Sequence, residues 1–541
     1  MALLTAVLFI ISLWSLSSAE VFTAYADIEA LLGAEKHITT AIDQYIAMEM
    51  KRLEKIRMFA KEYSARNVEA LELGPDYVSN PVNAYMLIKR LTTDWAHVEF
   101  LLRNNLAEEF LRNVTGQRDL AMAKFPGEED LTGAAVALMR LQDTYRLDTR
   151  DMANGVIQGV KRAQKLSSID CFDLGRTAYN QGDYYHCLMW MQEALNRYEE
   201  EQENPEFNDE QPKMSDILEY LSFSLYQQGN VKRALAMTKK LVRIDPDHPR
   251  AEGNVKWYED MLKQSGQKKG DLGDLPPIVN PRAENAGIPE REDYEGLCRG
   301  EITPNPKEEK KLYSYYKMDR PYLRLAPIKV TIMRHKPLAV LFIQAMSEAE
   351  AEVIKKLAYP KLNRATVQNP NTGQLEFANY RISKSAWLKH HDHPVVARIN
   401  RRLDMMTNLE METAEELQIA NYGIGGHYDP HFDCRTTGEM DPYRMGTGNR
   451  IATVLYYMTK PEAGGATVFT GINTAVFPYA ALFWYNLHKS GEVDQATRHA
   501  ACPVLSGVKW VANKWIHERG QEFRRPCGLK PDAYETYVGE L

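Results

Sequence analysis

"NYGIGGHYDPHFDC", residues 421–434, ends an apolar strand-like run at a Gly-rich turn and then places His427-Tyr-Asp429 and His431-Phe-Asp433 within seven positions. Strand side chains alternate with period two, so each H-x-D presents an imidazole and a carboxylate on one face. A second His from a distant strand would complete a 2-His-1-carboxylate face, which leaves positions open on Fe(II). The motif alone says little, because His390-His-Asp392 has the same form. Downstream, "TRHAACPVLSGVKWVANKWIHERGQEFRRPC" (497–527) adds His499 and, ten residues on, Lys509. On one continuous strand that spacing returns to the same face, so a ligand and a cation would share it. A keto acid with a distal carboxylate needs those two features, its far end pairing with the ammonium.

The surrounding sequence reads as a sheet-rich domain. "ATVQNPNTGQLEFANYRIS" predicts a hairpin about Asn371-Thr372-Gly373, and "LQIANYGI", "RIATVLYYM", "GATVF", "ALFWYNL" and "WVANKWIHE" predict short strands. Many short strands with Gly/Pro turns indicate a β-sandwich or jelly roll. Ser347-x-x-Glu350 is a capping box that predicts a helix to about Ala358 flanking them.

The chain has 541 residues, enough for three or four domains by the usual domain size. Its net charge of −7 offers no basic surface for nucleic acid. "MALLTAVLFIISLWSLSSAE" reads as a secretory signal cleaved before Glu20, and no later segment is apolar enough for a membrane span. Asn113-Val114-Thr115 is an N-glycosylation sequon, and the terminus "YVGEL" is not a retention signal. Six cysteines, with no C-x-x-C, exclude a disulfide scaffold and a Cys-based zinc site.

Residues 24–125 have helical periodicity, with Ile42, Ile46, Leu53, Ile56, Ala60 and Tyr63 forming either a coiled-coil-like seam or the apolar face of a core helix. Residues 171–262 hold a repeat aligned on Tyr179/Tyr226 and Gly182/Gly229, each unit a helix, a Gly turn and a helix, as in tetratricopeptide pairs. Such a module binds extended peptides. Its aromatic residues (Tyr179, Tyr184, Tyr185, Trp190, Tyr220, Tyr226, Trp257) exceed what packing needs, and half are expected on the concave face. Residues 263–290 read as a Gly/Pro-rich linker.

Beyond these features, "YRISKSAWL", "TAEELQIANYGIGGHYDPHFD", "GTGNRIATVLYYM", "GGATVF", "LFWYNL", "TRHAACPVL" and "KWIHERGQEFRRPC" resemble the α subunits of collagen prolyl 4-hydroxylases, nematode forms most of all. The resemblance implies a multidomain α+β chain: a signal peptide (1–19), a helical dimerisation domain (20–140), a tetratricopeptide-like peptide-substrate-binding domain (141–262), a linker (263–330) and a double-stranded β-helix (jelly-roll) dioxygenase domain (331–541). It implies His431, Asp433 and His499 as ligands of Fe(II). It also assigns Lys509 to the C5 carboxylate of 2-oxoglutarate and His517 to the C1 carboxylate. His427 then falls at the rim of the site, with Asp429 an outlying acid. The module's Tyr179, Tyr220, Tyr226, Arg250, Asn254 and Trp257 are expected to hold proline-rich chains in a polyproline II conformation.

The reaction so implied is proline 4-hydroxylation in X-Pro-Gly repeats of collagen-like chains, using O₂ and 2-oxoglutarate with ascorbate in support. Protein disulfide isomerase would be the β subunit of an α₂β₂ tetramer in the endoplasmic reticulum lumen. A lysyl hydroxylase or a non-catalytic collagen-binding chaperone are the alternatives, against which stand the Lys509 anchor and the intact ligand set. The resemblance pairs Cys502 with Cys527, closing a loop of about 25 residues worth roughly 3 kcal/mol. It leaves Cys298 opposite Ser314 and open to pairing with Cys434.

Overall fold

The Ser347/Glu350 capping box opens a helix as its spacing predicts: the Glu350 amide donates to Ser347 Oγ at 3.2 Å, and the Ser347 amide to the Glu350 carboxylate at 3.0 Å. That helix belongs to a computed structural model that describes residues 21–74, 81–103, 107–108, 110–112, 126–161, 164–202, 212–265, 275–283, 288–368, 374–436, 446–469, 472–474, 478–530, 533 and 535. The expected signal peptide, Asn113 and the Asn371-Thr372-Gly373 turn lie outside them. Two compact units result, one of residues 27–125 and one of the remainder. Among the described residues no helix is long and apolar enough to cross a membrane.

The smaller unit is dominated by α1 (Tyr25–Leu73). One side of α1 packs within the unit: Tyr45 lies against Phe110 at 5.0 Å, Phe59 against His97 at 5.6 Å, and Tyr63 donates to the Arg90 carbonyl at 3.0 Å. Ile42, Ile46 and Leu53 of the expected seam stay 41, 48 and 55% exposed. The seam therefore divides among the described residues: Ile56 and Tyr63 are half-buried, whereas Ile42, Ile46, Leu53 and Ala60 stay exposed.

In the larger unit α2 (Glu128–Tyr145) precedes the repeat helices α3 (Ser168–Asn180), α4 (Tyr184–Gln202), α5 (Met214–Gln227), α6 (Val231–Ile244) and α7 (Ala251–Gln264). Gly182 and Gly229 turn the pairs with φ of +74° and +82°, the left-handed geometry glycine adopts without strain. The expected boundary at 140 falls inside α2, whose Ala135 and Met139 belong to the repeat core. The expected linker also carries structure, including α8 (Arg291–Cys298).

The C-terminal part is a β-sandwich. Its larger sheet contains β1 (Ser314–Lys317), β2 (Ile328–His335), β3 (Leu338–Ile343), β4 (Asn363–Arg364), β5 (Lys384–Leu388), β6 (Leu417–Tyr422), β8 (Arg450–Tyr457), β11 (Ala481–Tyr485) and β13 (Lys509–His517). Their order across the sheet is β1-β2-β3-β11-β8-β13-β6-β5-β4, with antiparallel neighbours. The smaller sheet orders β7 (Tyr428–His431), β12 (His499–Ala501), β9 (Thr467–Phe469) and β10 (Ile472–Thr474) as β7-β12-β9-β10. Alternation divides each strand between two cores. Leu417 and Ile419 of β6 pack with the helices α9 (Glu348–Ala358) and α10 (Pro394–Thr407), whereas Ala420 and Tyr422 face the smaller sheet. The helices cover one face of the large sheet and leave the other to form the site.

The cysteine pairing departs from expectation. α8 packs on the smaller sheet through Tyr294 and Leu297, against Val468, Ala500 and Cys502, which brings Cys298 onto Cys502 as a disulfide. Cys527 is instead exposed, in the segment that Arg525 pins to the Leu487 carbonyl at 2.8 Å. Cys434 does not pair with Cys298 either: it sits in the helix-side core, its thiol 3.8 Å from the Asn486 carbonyl. Non-reducing peptide mapping is expected to recover the 298 and 502 peptides linked, with Cys434 and Cys527 alkylated only as thiols. A 502–527 linked peptide would overturn this arrangement.

Candidate active site

Three donors converge between the two sheets. His431 closes β7, His499 opens its neighbour β12, and Asp433 lies two residues beyond His431. His431 and His499 are cross-strand partners in register, which brings their rings to 4.4 Å. One ligand atom from each of the three residues lies within 4.8 Å of the others. His431 Nε2 is 3.6 Å from Asp433 Oδ1, and His499 Nε2 is 3.6 Å from Asp433 Oδ2.

Both imidazoles are oriented the same way. His431 Nδ1 meets the Asp429 carbonyl at 2.7 Å and His499 Nδ1 the Thr497 carbonyl at 2.9 Å, so each Nδ1 carries the proton and each Nε2 offers its lone pair inward. Rings then fix their planes. Tyr428 stacks on His431 at 3.5 Å, while Trp484 and Phe469 lie 4.8 and 5.3 Å from His499. Burial alone would raise the Asp433 carboxyl, but the adjoining His499 and His431 hold it far below the usual range, so it is an anion. Burial likewise lowers His499 to about 4, which keeps it neutral. Two imidazoles that turn Nε2 inward and a carboxylate suit a divalent cation.

The other end of the cavity is a cation. Lys509, Val511, Asn513 and Trp515 alternate along β13 and all line it, with Tyr422, Tyr428 and Thr467 among the remaining walls. Lys509 is 1% exposed, and among the described residues its Nζ has no hydrogen-bond partner. Its nearest compensation is the Tyr422 ring at 4.6 Å. Burial depresses the ammonium to about 7. A buried ammonium without an acceptor fits an anionic ligand end. Gly465, with φ +68°, makes room for the lysine stem: a Cβ there would stand 3.3 Å from Lys509 Cδ.

Lys509 and His499 do meet in one cavity, but not along one strand. Cys502-Pro503 and Gly507 interrupt the run, and the chain crosses from the smaller to the larger sheet. The two residues face each other across the sandwich. His517 does not line the cavity: its Nδ1 lies 2.8 Å from the Gly448 carbonyl and its Nε2 3.1 Å from Glu415. His427 is buried apart from the three donors, 3.4 Å from Asp429 Oδ1, and burial keeps it neutral. Burial raises Asp429 to about 6, with Arg140 and His431 opposing. His390-His-Asp392 is on the surface, where Asp392 pairs with Lys361 at 2.7 Å.

Two site residues escaped the sequence reading. Thr453 donates to Asp433 Oδ2 at 2.8 Å and is held by the Asn486 amide at 3.0 Å. Arg450, salt-bridged to Glu415 and lying over the Trp515 ring at 4.1 Å, donates to the Asp433 carbonyl at 3.1 Å. A polar residue inside the apolar run "RIATVLYYM" is the signal that would have found Thr453.

The repeat module gathers the expected aromatic residues into a contiguous row. Tyr179 meets Tyr220 at 4.8 Å edge to face and Phe223 at 5.7 Å; Phe223 meets Tyr226 at 5.9 Å, and Tyr226 meets Trp257 at 4.5 Å. Of the rings singled out in the sequence Trp190 is fully buried, Tyr179, Tyr220 and Tyr226 are half-buried against the same core, and Trp257 is exposed. Arg250 is exposed and paired with Glu219, and Asn254 lies half-buried a helical turn from Arg250.

Comparison with known proteins matches three stretches of the chain. Residues 24–159 match the prolyl 4-hydroxylase alpha-subunit N-terminal region, residues 168–264 the prolyl 4-hydroxylase peptide-substrate-binding domain, and residues 417–517 the 2OG-Fe(II) oxygenase superfamily. The chain is 60% identical to prolyl 4-hydroxylase subunit alpha-2 of Caenorhabditis elegans, over 99% of this chain and 98% of that one. It is 46% identical to subunit alpha-1 of Homo sapiens, over 95% and 97%. Among solved structures, a viral collagen prolyl hydroxylase from Paramecium Bursaria Chlorella virus-1 matches 33% of this chain and 95% of its own, at 24% identity and a TM-score of 0.28.

Proposed function

The chain belongs to the family of prolyl 4-hydroxylase alpha subunits, and on that premise we propose how its residues divide the work of hydroxylating collagen-like chains. It is an Fe(II)- and 2-oxoglutarate-dependent dioxygenase acting on proline. His431, Asp433 and His499 hold the metal, and Lys509 pairs with the distal carboxylate of 2-oxoglutarate. The observation that carries this division is the opposition, in one cavity, of three metal-competent donors and a buried ammonium with no acceptor. Fe(II) with 2-oxoglutarate and O₂ supplies the oxidation, one oxygen atom entering the proline C4–H bond and the other leaving in succinate as CO₂ is lost.

The chain's own residues position and exclude. Thr453 and Arg450 fix the Asp433 carboxylate and its backbone, and the two carbonyl-bound imidazoles keep their tautomers through turnover. Trp484, Leu455 and Val511 form apolar wall that limits water around the reacting groups. His517 acts from behind this wall, holding Glu415 against Arg450 rather than touching the cosubstrate. Ascorbate would be the supporting reductant for iron held by His431, Asp433 and His499.

Substrate capture falls to the row Tyr179, Tyr220, Tyr226 and Trp257, whose rings stack well on proline faces, with Arg250 and Asn254 as carbonyl donors. With a (Pro-Pro-Gly) peptide, CO₂ release should track 4-hydroxyproline formation, whereas a lysine-containing peptide should give neither. Tyr220→Ala combined with Asn254→Ala is expected to raise KM for long peptides at least tenfold with kcat little changed. An unaltered KM removes the row from substrate capture.

The assembly proposed is an α₂β₂ tetramer with protein disulfide isomerase as β subunit, in the endoplasmic reticulum lumen. The leader-like start, the sequon at Asn113 and the Cys298–Cys502 disulfide support an oxidising compartment. The exposed Ile42, Ile46 and Leu53 support α–α contact. Light scattering on an Ile46→Glu, Leu53→Glu variant should then report assemblies with one α chain. Retention of the parental mass excludes this stripe as the contact.

A further inference from the structure

Residues 21–26, which lead into α1, are deeply buried. Val21, Thr23, Ala24 and Ala26 are 2, 0, 0 and 6% exposed. The Phe22 carbonyl accepts from the Ile424 amide at 3.1 Å, and the Phe22 amide donates to Asp130 Oδ1 at 3.4 Å. Gly423 is what admits the segment, since a Cβ there would lie 1.9 Å from the Phe22 carbonyl oxygen. Gly133 does the same for the Phe22 ring, at 2.3 Å.

The segment ends on Asn421, which is 0% exposed in β6 beside the cavity. The Ala26 amide donates to Asn421 Oδ1 at 3.0 Å, and Asn421 Nδ2 donates to the Lys509 carbonyl at 3.3 Å. The carboxamide therefore joins residues 21–26 to the backbone of the lysine whose ammonium faces the cavity. The next residue, Tyr422, pairs with Lys509 across the strands and carries the ring beneath its Nζ. We infer that residues 21–26, acting through Asn421, position Lys509 for the distal carboxylate, so that a segment outside the cavity helps to set the cosubstrate pocket. Asn421 and Ala26 are positioning residues here, and the inference rests on the reading of Lys509 given above.

The physical reason lies in both ends of one amide. Without the Ala26 N–H, Asn421 Oδ1 is a buried acceptor with its donor gone, a state that favours turning the carboxamide and releasing the Lys509 carbonyl. A buried ammonium at the end of a four-carbon stem tolerates little displacement of its root when it must meet a fixed carboxylate.

Ala26→Pro isolates the contact. Ala26 lies in the first turn of α1, where its amide has no helical partner; because its side chain is buried in the core and Tyr25 precedes it in the helix, thermal melting is followed beside binding to separate loss of the donor from general strain. Full-length variants are assayed for 2-oxoglutarate affinity by equilibrium binding with Mn(II) in place of iron, and separately for metal affinity. Ala26→Pro should weaken 2-oxoglutarate about fivefold or more with metal affinity unchanged. The conservative Ala26→Gly, which keeps the N–H, should restore the parental value, and Gly423→Ala should reproduce the loss by expelling Phe22. Parental 2-oxoglutarate affinity in Ala26→Pro, or equal losses of metal and cosubstrate, overturns the inference. Lys509→Ala separates the two levels: if it binds 2-oxoglutarate normally, the reading of Lys509 fails, and if it alone loses binding, only the role of residues 21–26 fails.

Discussion

His431→Ala and Asp433→Ala are each expected to abolish hydroxylation, with iron affinity falling by more than about a hundredfold, the upper end of what losing an outer partner of a ligand costs. His427→Ala should keep its iron. The two H-x-D pairs are alike in sequence, and geometry separates them. His431 offers Nε2 toward Asp433 and His499, all three donors lying within 4.8 Å. His427 points its Nε2 at Asp429, and its ring is buried behind β7 rather than in the wall of the cavity. Removing that ring leaves a void, so a lower melting temperature is expected without loss of metal. Iron content after dialysis, measured beside turnover and assembly mass, decides the matter. His427→Ala losing iron as fully as His431→Ala would falsify the assignment.

What the sequence made legible were the local patterns. Alternation placed β6, β8 and β13, the capping box placed α9, and the Gly182/Gly229 repeat placed the helical pairs. Each of these is set within a few residues. The ranking of His431 over His427 came from the family resemblance, since strand alternation favours both pairs equally.

What escaped was set by distant contacts. Cys298 finds Cys502 across 204 residues because α8 happens to pack on the smaller sheet, and nothing near either cysteine announces this. His499 and Lys509 were expected on one strand face; the breaks at Pro503 and Gly507 carry them to opposite sheets, which serves a keto-diacid better, since its two ends then meet opposing walls. His517 has the parity of Lys509 along β13, yet the pairing shifts between Arg450 and Ala452 opposite it, and the ring ends against Gly448 and Glu415. Parity predicts a face only while the ladder is regular.

The second large effect is at Lys509. Lys509→Ala should raise the dissociation constant of 2-oxoglutarate by about a hundredfold or more, since truncating one side of a buried charge pair costs on the order of 2–5 kcal/mol. Metal binding should persist, because the lysine belongs to the opposite end of the cavity from the three donors. The pH dependence follows from its depressed pKa of about 7, caused by burial. The anion needs the protonated amine. Below pH 7 the amine is already charged and affinity is greatest; above it, binding must draw a proton from solution, and affinity falls up to about tenfold per pH unit. The groups around Nζ do not reverse this sign. Burial raises Tyr422 to about 12 and raises Tyr428 too, so both phenols stay neutral across the range. Folding shows the same group from the other side: against an unfolded value of about 10.4, the folded lysine binds fewer protons between pH 7 and 10, so the cosubstrate-free protein gains stability as pH rises there. Calorimetry at pH 8 in buffers of different ionisation enthalpy should register close to one proton taken up per 2-oxoglutarate bound, and none in Lys509→Ala. Equal uptake in parent and variant would assign the proton to another group and leave Lys509 charged throughout.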